Sequence, residues 1–241
     1  NNGTLKNDKG ATMNFTASSH AAGVNIWSGS ADFINDGTAN ATGVSLVASA
    51  DNATADKAFF WNQDDGVVNF TASKSGQSAI SLTHNNFIGI NDGTLNVSGD
   101  GAIGMKGSKN AQLVNNGTIN LGTEGTPESG MIAMQLDANA TADAVIENNG
   151  AINIYAQNSY AFSKLGANGR IVNNGTVTLA GEGSSLIQQA DVTLEGNGTG
   201  GNGIETHAAS YTLPTDPTAT AKSSGLRSSI SQYTIGTSAS G

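Results

Sequence analysis

The sequence predicts an all-β chain wound as a right-handed parallel β-helix, about seven rungs of three short strands each, with a less regular C-terminal end. Three observations predict it: an Asn-Gly motif that recurs along the chain, alternation of apolar residues after each copy, and a composition poor in charge. The fullest copy is Val114-Asn115-Asn116-Gly117-Thr118-Ile119-Asn120-Leu121. Further copies are Asn1-Asn2-Gly3-Thr4-Leu5, Ile34-Asn35-Asp36-Gly37-Thr38, Asp64-Asp65-Gly66-Val67-Val68, Ile90-Asn91-Asp92-Gly93-Thr94, Glu147-Asn148-Asn149-Gly150-Ala151 and Val172-Asn173-Asn174-Gly175-Thr176. Their glycines lie 34, 29, 27, 24, 33 and 25 residues apart. That is the period of a solenoid, in which each unit buries its apolar face only against the next.

Each copy opens with a turn, because Gly, without a Cβ, and Asn or Asp beside it tolerate positive φ. The first strand follows. Ile119 and Leu121 are two apart, as are Leu95 and Val97 or Val177 and Leu179, and a period of two marks a strand with one buried face. Leu95, Ile119, Ile152 and Val177 are therefore expected to stack inside. A second strand occupies 44–47, Ser78–Leu82, 101–105, 130–134, Tyr160–Lys164 and 185–188. The third leads into the next turn, as in Gln112-Leu113-Val114, Val145-Ile146 and Arg170-Ile171-Val172. Three strands per repeat make one rung, rising by the inter-strand spacing of about 4.8 Å, and insertions such as 51–57 and 137–143 are expected in the turns. Asn-Gly is also a favoured hairpin turn, but hairpins do not predict a strand triplet recurring with like positions aligned. In the first rung both Asn1-Asn2-Gly3 and Asp8-Lys9-Gly10 qualify as the turn. Past Leu194 the pattern decays. Residues 1–205 are assigned to the β-helix, and 206–241, holding Pro214 and Pro217, to a cap, edge cover or linker at an end whose pairing edges need protection.

Stacking gives the asparagines a purpose. Two residues before the motif glycine stand Asn35, Asn91, Asn115, Asn148 and Asn173, with Asp64 the exception; three residues after it stand Asn40, Asn69, Asn96, Asn120 and Asn153, with Thr178 closing the row. Asn is normally depleted inside strands. Like residues piled in a parallel stack can instead hydrogen-bond amide to amide up a ladder. Thr38, Asn40, Thr94, Asn96, Thr118, Asn120, Thr176 and Thr178 form the candidate self-association ladder on the same face.

Composition narrows the class. Only 12% of the 241 residues are charged, with 32 Gly, three Pro and no Cys, where a helical protein would carry more Leu, Glu, Lys and Arg. The net charge of −9 opposes nucleic-acid partners, which need a basic footprint, and anionic membranes. No apolar run approaches the roughly 20 residues that span a bilayer, so no transmembrane segment is expected in this fragment. Because Asn1 falls inside a motif copy, the chain reads as a mature or excised piece. The tandem Asn-Asn-Gly-Thr-Ile-Asn-Leu rungs, low charge, acidic balance and lack of Cys, over about residues 1–203, resemble the secreted passenger domain of a bacterial autotransporter adhesin of the AIDA-like type. The resemblance implies export through the outer membrane, display on the cell surface and a role in adhesion, aggregation or biofilm. The membrane barrel that anchors such passengers is not part of this sequence.

The residues that carry chemistry elsewhere are sparse here. Hydrolysis of a polysaccharide wants two carboxylates facing each other across a cleft, and Asp64-Asp65 are neighbours, replacing the usual Asn-Asn of the turn. His20, His84 and His207 have no partner at metal-ligand spacing. No Gly-Asp-Ser-Gly serine segment occurs. The expectation is therefore no enzyme and no cofactor; the alternatives are a polysaccharide-active lyase or tailspike-like hydrolase, and a non-binding spacer. One further pattern is a candidate ligand-binding stripe: Lys57, Lys106, Lys109, Lys164 and Arg170, half of the ten basic residues, are expected to stack in the turn between second and third strands, facing an anionic host glycan or forming a solvated rim. Trp27, Phe59, Phe60 and Trp61 are the aromatic candidates, with core filling expected for Phe and a sugar or protein contact for any exposed Trp. The expected partner is another copy of the chain, a host matrix protein or a glycan.

Overall fold

One corner of the polypeptide, where the third strand of a rung turns into the first strand of the next, repeats with so little variation that it sets the register of the whole chain. The computed structural model describes residues 3–17, 22–26, 31–50, 58–189, 192–196 and 198, and the backbone of the strands Ile204–Glu205, Ala219–Thr220 and Thr234–Ile235. These residues form a parallel β-helix with three sheets and no helix. Sheet A has nine strands, from Gly3–Asn7 to Ile204–Glu205; sheet B has seven, from Thr12–Thr16 to Thr176–Leu179; sheet C has seven, from Ala22–Ile26 to Ser185–Ile187. Every pairing within the three sheets is parallel and joins equivalent strands of successive rungs. The third-strand segments read from the sequence make sheet A, the first strands sheet B and the second strands sheet C.

The interior is filled as the alternation requires. Leu95, Ile119, Ile152 and Val177 are in direct register and 0–5% exposed. Sheet A contributes Phe33, Phe60, Leu113, Ile146 and Ile171 to the same core, with the Phe33 and Phe60 rings 5.7 Å apart and tilted by 41°. Because each rung covers the apolar face of the one before, burial continues along the axis rather than around a single centre.

At the corner between sheets A and B, Asn7, Asn35, Asn62, Asn91, Asn115, Asn148 and Asn173 stack in one buried column. From Asn7 to Asn148 each Nδ2 donates to the Oδ1 of the next rung, over 2.7–2.8 Å for all six links, and Asn173 ends the column as acceptor. The second amide proton reaches backbone carbonyls of the turn, such as Asn62 to Gly66 at 3.0 Å and Asn91 to Thr118 at 3.1 Å. Asn therefore sits inside a strand because its amide can satisfy its own groups and the otherwise buried turn carbonyls together.

Several details differ from the sequence reading. Asp64 is no exception to the column, since Asn62 occupies it and the turn before Gly66 carries two extra residues, with Gly66 N–H donating to Gln63 O at 2.8 Å. Gly3 lies in a sheet A strand and Asn7 starts the column, so the first turn is Asp8-Lys9-Gly10. The motif glycines are not among those with positive φ. Close approach requires them: a Cβ on Gly117, Gly150 or Gly175 would collide with the carbonyl oxygen of the motif glycine one rung earlier. The insertion at 137–143 does not lie wholly in a turn, because the Ile132–Ala140 strand runs on into it and Ala140 pairs with Lys109. Insertion 51–57 and most of 206–241 lie outside the described residues, apart from the antiparallel pair Ala219–Thr220 and Thr234–Ile235.

Asn91→Ala removes the acceptor of Asn62 and the donors to Asn115 and two carbonyls inside the protein. It is expected to lower unfolding stability by about 3 kcal/mol, whereas Asn96→Ala on the outer face costs about 1 kcal/mol or less. Urea unfolding followed by circular dichroism measures both, and equal losses would contradict this role for the buried column.

Candidate functional site

The face of sheet B is built from the residues that alternate with the core. Outward from each strand project its first and third side chains, which are in register as Thr38, Val67, Thr94, Thr118, Ala151 and Thr176, and as Asn14, Asn40, Asn69, Asn96, Asn120, Asn153 and Thr178. The structure thus brings all eight ladder residues onto one face in two adjacent columns. Asn40, Asn69, Asn96, Asn120 and Asn153 each donate Nδ2–H to the Oδ1 of the previous rung over 2.7–3.0 Å. The direction is opposite to that of the buried column. Among the described residues these amides make no other bonds. A carboxamide has two N–H groups and two lone pairs, so a linked amide within the column retains one donor and one acceptor, repeated about every 4.8 Å. Most of these side chains are half-buried and none is charged.

A third ladder, not recognised in the sequence, lies beside the turn. Asn116 donates to Asp92 at 3.0 Å, Asn149 to Asn116 at 2.9 Å and Asn174 to Asn149 at 3.0 Å. A carboxylate only accepts, so Asp92 fixes the direction of the chain of amides. Asp92 also accepts the indole N–H of Trp61 at 2.8 Å. The signal was available: the residue directly before the motif glycine is Asn or Asp in most copies. Trp61 is 6% exposed and gives no exposed sugar platform. Phe60 fills the core, while Phe59 is buried outside the core cluster; Trp27 lies outside the described residues.

The basic residues do not share a column. Lys106 is inside a sheet C strand rather than in the turn, because the strand continues to Lys109, and it pairs in register with Ser81 and Gln135. Lys109 is aligned with Ala140, and Lys164 with Leu136. The Lys164 ammonium ties down its own turn by donating to the carbonyls of Ala167 at 2.8 Å and Gly169 at 3.4 Å. Arg170 belongs to sheet A and forms a two-pronged ion pair with Glu195 of the next rung. Lys57 lies outside the described residues. Asp64 and Asp65 are in an exposed turn, and Asp65 pairs with Lys9 at 2.7 Å; that hydrogen bond, with the Asp65 charge, raises the Lys9 pKa. His84 Nδ1 is 3.0 Å from Ser49 Oγ, and His20 and His207 lie outside the described residues. Among the described residues no three His, Cys, Asp or Glu side chains gather into a metal-binding group, and no helix is long and apolar enough to cross a membrane.

Comparison with known proteins gives this architecture a family. The model of the BigA fourth domain matches residues 1–184. The chain belongs to that family. A Salmonella typhimurium protein, BigA, proposed to be a surface-exposed virulence protein, is 34% identical over 221 residues, which cover 86% of this chain and 11% of that relative. No solved structure matches.

The placement of the cations separates structural from free ones. Lys164→Met is expected to loosen the 165–169 turn and lower the melting midpoint by an amount equivalent to about 1 kcal/mol, while Lys106→Ser stays within about 0.5 kcal/mol of the parent. Thermal melts of the two variants check this, and equal shifts would contradict it.

Proposed function

We propose that this chain is a rod-like interaction segment of a bacterial cell-surface protein, of the autotransporter adhesin passenger type, and that it acts without catalysis through the flat polar face of sheet B. The observation that carries the reading is the outer asparagine ladder with its flanking threonines: an uncharged comb of paired donors and acceptors at a fixed spacing. A partner that presents the same spacing gains many weak contacts, each made at high effective concentration once the first has formed. A second copy of the rod presents that spacing by construction. Self-association, leading to cell clumping and biofilm, is therefore favoured over a host matrix protein, and both over an anionic glycan, since the basic residues occupy different columns and two of them are tied into the fold. Membership of the BigA fourth-domain family and the likeness to a relative proposed to be surface-exposed support display outward from the outer membrane.

Replacing Thr38, Thr94, Thr118 and Thr176 with Lys sets like charges along the face while leaving the asparagine links intact. This variant is expected to lose self-association in sedimentation and in a cell-clumping assay, with circular dichroism unchanged. Association of the parent changes by less than about twofold between about 0.05 and 0.5 M salt, because no ion pairs are screened, and Lys106→Ser with Lys109→Ser leaves it intact. Clumping that survives the threonine replacements, or that collapses with salt, would remove sheet B from the mechanism.

A further inference from the structure

Asn followed by Gly is a chemically labile step in a polypeptide, because Gly, without a Cβ, leaves its nitrogen open to the side-chain carbonyl of the residue before it. Four such steps lie wholly within the described residues: Asn116-Gly117, Asn149-Gly150, Asn168-Gly169 and Asn174-Gly175. The fold treats them differently. At the corner between sheets A and B the N–H groups of Gly117, Gly150 and Gly175 donate to the carbonyls of Asn91, Asn115 and Asn148 in the rung before, over 2.9–3.0 Å. The side-chain amides of Asn116, Asn149 and Asn174 are tied into the ladder beside the turn. Both the nitrogen that would attack and the amide it would attack are therefore held, and freeing them requires a rung to open.

Asn168-Gly169 is held by no such bonds. It lies in the turn 165–169, between the sheet C strand Tyr160–Lys164 and the sheet A strand Arg170–Asn173. Asn168 is exposed. Among the described residues its side chain makes no hydrogen bond, and neither does the Gly169 N–H. The Lys164 ammonium fixes the carbonyls of Ala167 and Gly169 on either side, leaving the Asn168 amide and the Gly169 nitrogen unengaged between them. Gly169 has a φ of 86°, which a residue with a side chain rarely adopts. The turn itself thus requires the glycine that makes Asn168 labile.

We propose that Asn168 is a site of spontaneous deamidation, and that the rung hydrogen bonds close the corner asparagines to the same reaction. The Gly169 nitrogen gives its proton to solvent hydroxide and attacks Asn168 Cγ. A bond forms between them, the Cγ–Nδ2 bond breaks, and ammonia leaves with a proton from water, which restores the hydroxide. Water then opens the succinimide ring. Addition at Cγ restores the ordinary main chain with an aspartate side chain; addition at the main-chain carbonyl carbon leaves the chain running through Cγ, one methylene longer. Either product replaces a neutral amide with a carboxylate and takes the net charge from −9 to −10. The new charge falls in the turn that Lys164 already closes, away from the asparagine columns, so the register of the rungs survives the change.

The test uses the full chain, kept at neutral pH in water enriched in heavy oxygen and sampled over weeks, with peptide mass spectrometry locating the incorporated label. In the folded chain Asn168 is expected to deamidate at least about tenfold faster than Asn116, Asn149 or Asn174. In the chain unfolded by guanidinium the four sites are expected to react within about threefold of one another, because Gly follows each of them. Asn168→Gln, whose longer side chain closes a ring far more slowly, is expected to remove the fast site and leave the other three rates unchanged. A folded chain in which any of the three corner asparagines keeps pace with Asn168 overturns the proposal. So does a preference for Asn168 that persists after unfolding, since it would then come from the local sequence and not from the fold.

Discussion

A parallel stack of strands has no intrinsic protection against sliding by one residue, and a slip of one exchanges the core face for the solvent face. The buried asparagine column prevents this. An amide displaced by one residue would leave its donors and the turn carbonyls unsatisfied in a dry corner, a cost of about 1–3 kcal/mol per group. The motif glycines add a steric lock, since only a residue without Cβ passes the carbonyl of the rung before. Hydrophobic burial supplies most of the stability of such a fold, but it tolerates exchange among Ile, Leu, Val and Phe. The corner does not tolerate exchange, which is why its sequence repeats while the rest drifts.

This difference decides what could be read from the sequence. The strand triplet, the stacked Leu95–Ile119–Ile152–Val177 interior and the two asparagine columns were legible because each is a fixed spacing from an invariant turn. Asn62 was misplaced because two extra residues before Gly66 shift the count, and only pairing with Asn35 and Asn91 reveals the register. The role of the glycine was misassigned for a related reason. A requirement for close approach and a requirement for positive φ both select Gly, and only the neighbouring rung distinguishes them. The cations were grouped into a stripe because charge has no periodicity to constrain its register; strand boundaries then put Lys106 in a sheet and Arg170 in another. The outward side of sheet A, buried at Ile88, Val114 and Val172, left no trace that alternation could carry, since its strands read as continuous apolar runs, as strands buried on both faces do.

The three faces thus follow from what each strand must do beyond pairing. Sheet B alternates apolar with Asn and Thr and presents a polar comb; sheet A carries mostly apolar side chains on both sides, with Gln112 and Glu147 among the outward ones; sheet C carries the less regular turns and insertions. A rod whose rungs are locked in register holds any outward column at constant spacing along its length. Such a scaffold converts weak contacts into adhesion without a pocket or a catalytic group.

The central claim is that the corner column, rather than the solvent-facing one, carries the register. Hydrogen exchange of the asparagine side-chain amides, followed by NMR on the labelled chain, tests it directly. The amide protons of Asn35, Asn62, Asn91, Asn115 and Asn148 should exchange only with global or sub-global opening, at least about a thousandfold more slowly than those of Asn40, Asn69, Asn96 and Asn120. Comparable rates in the two columns would contradict the account.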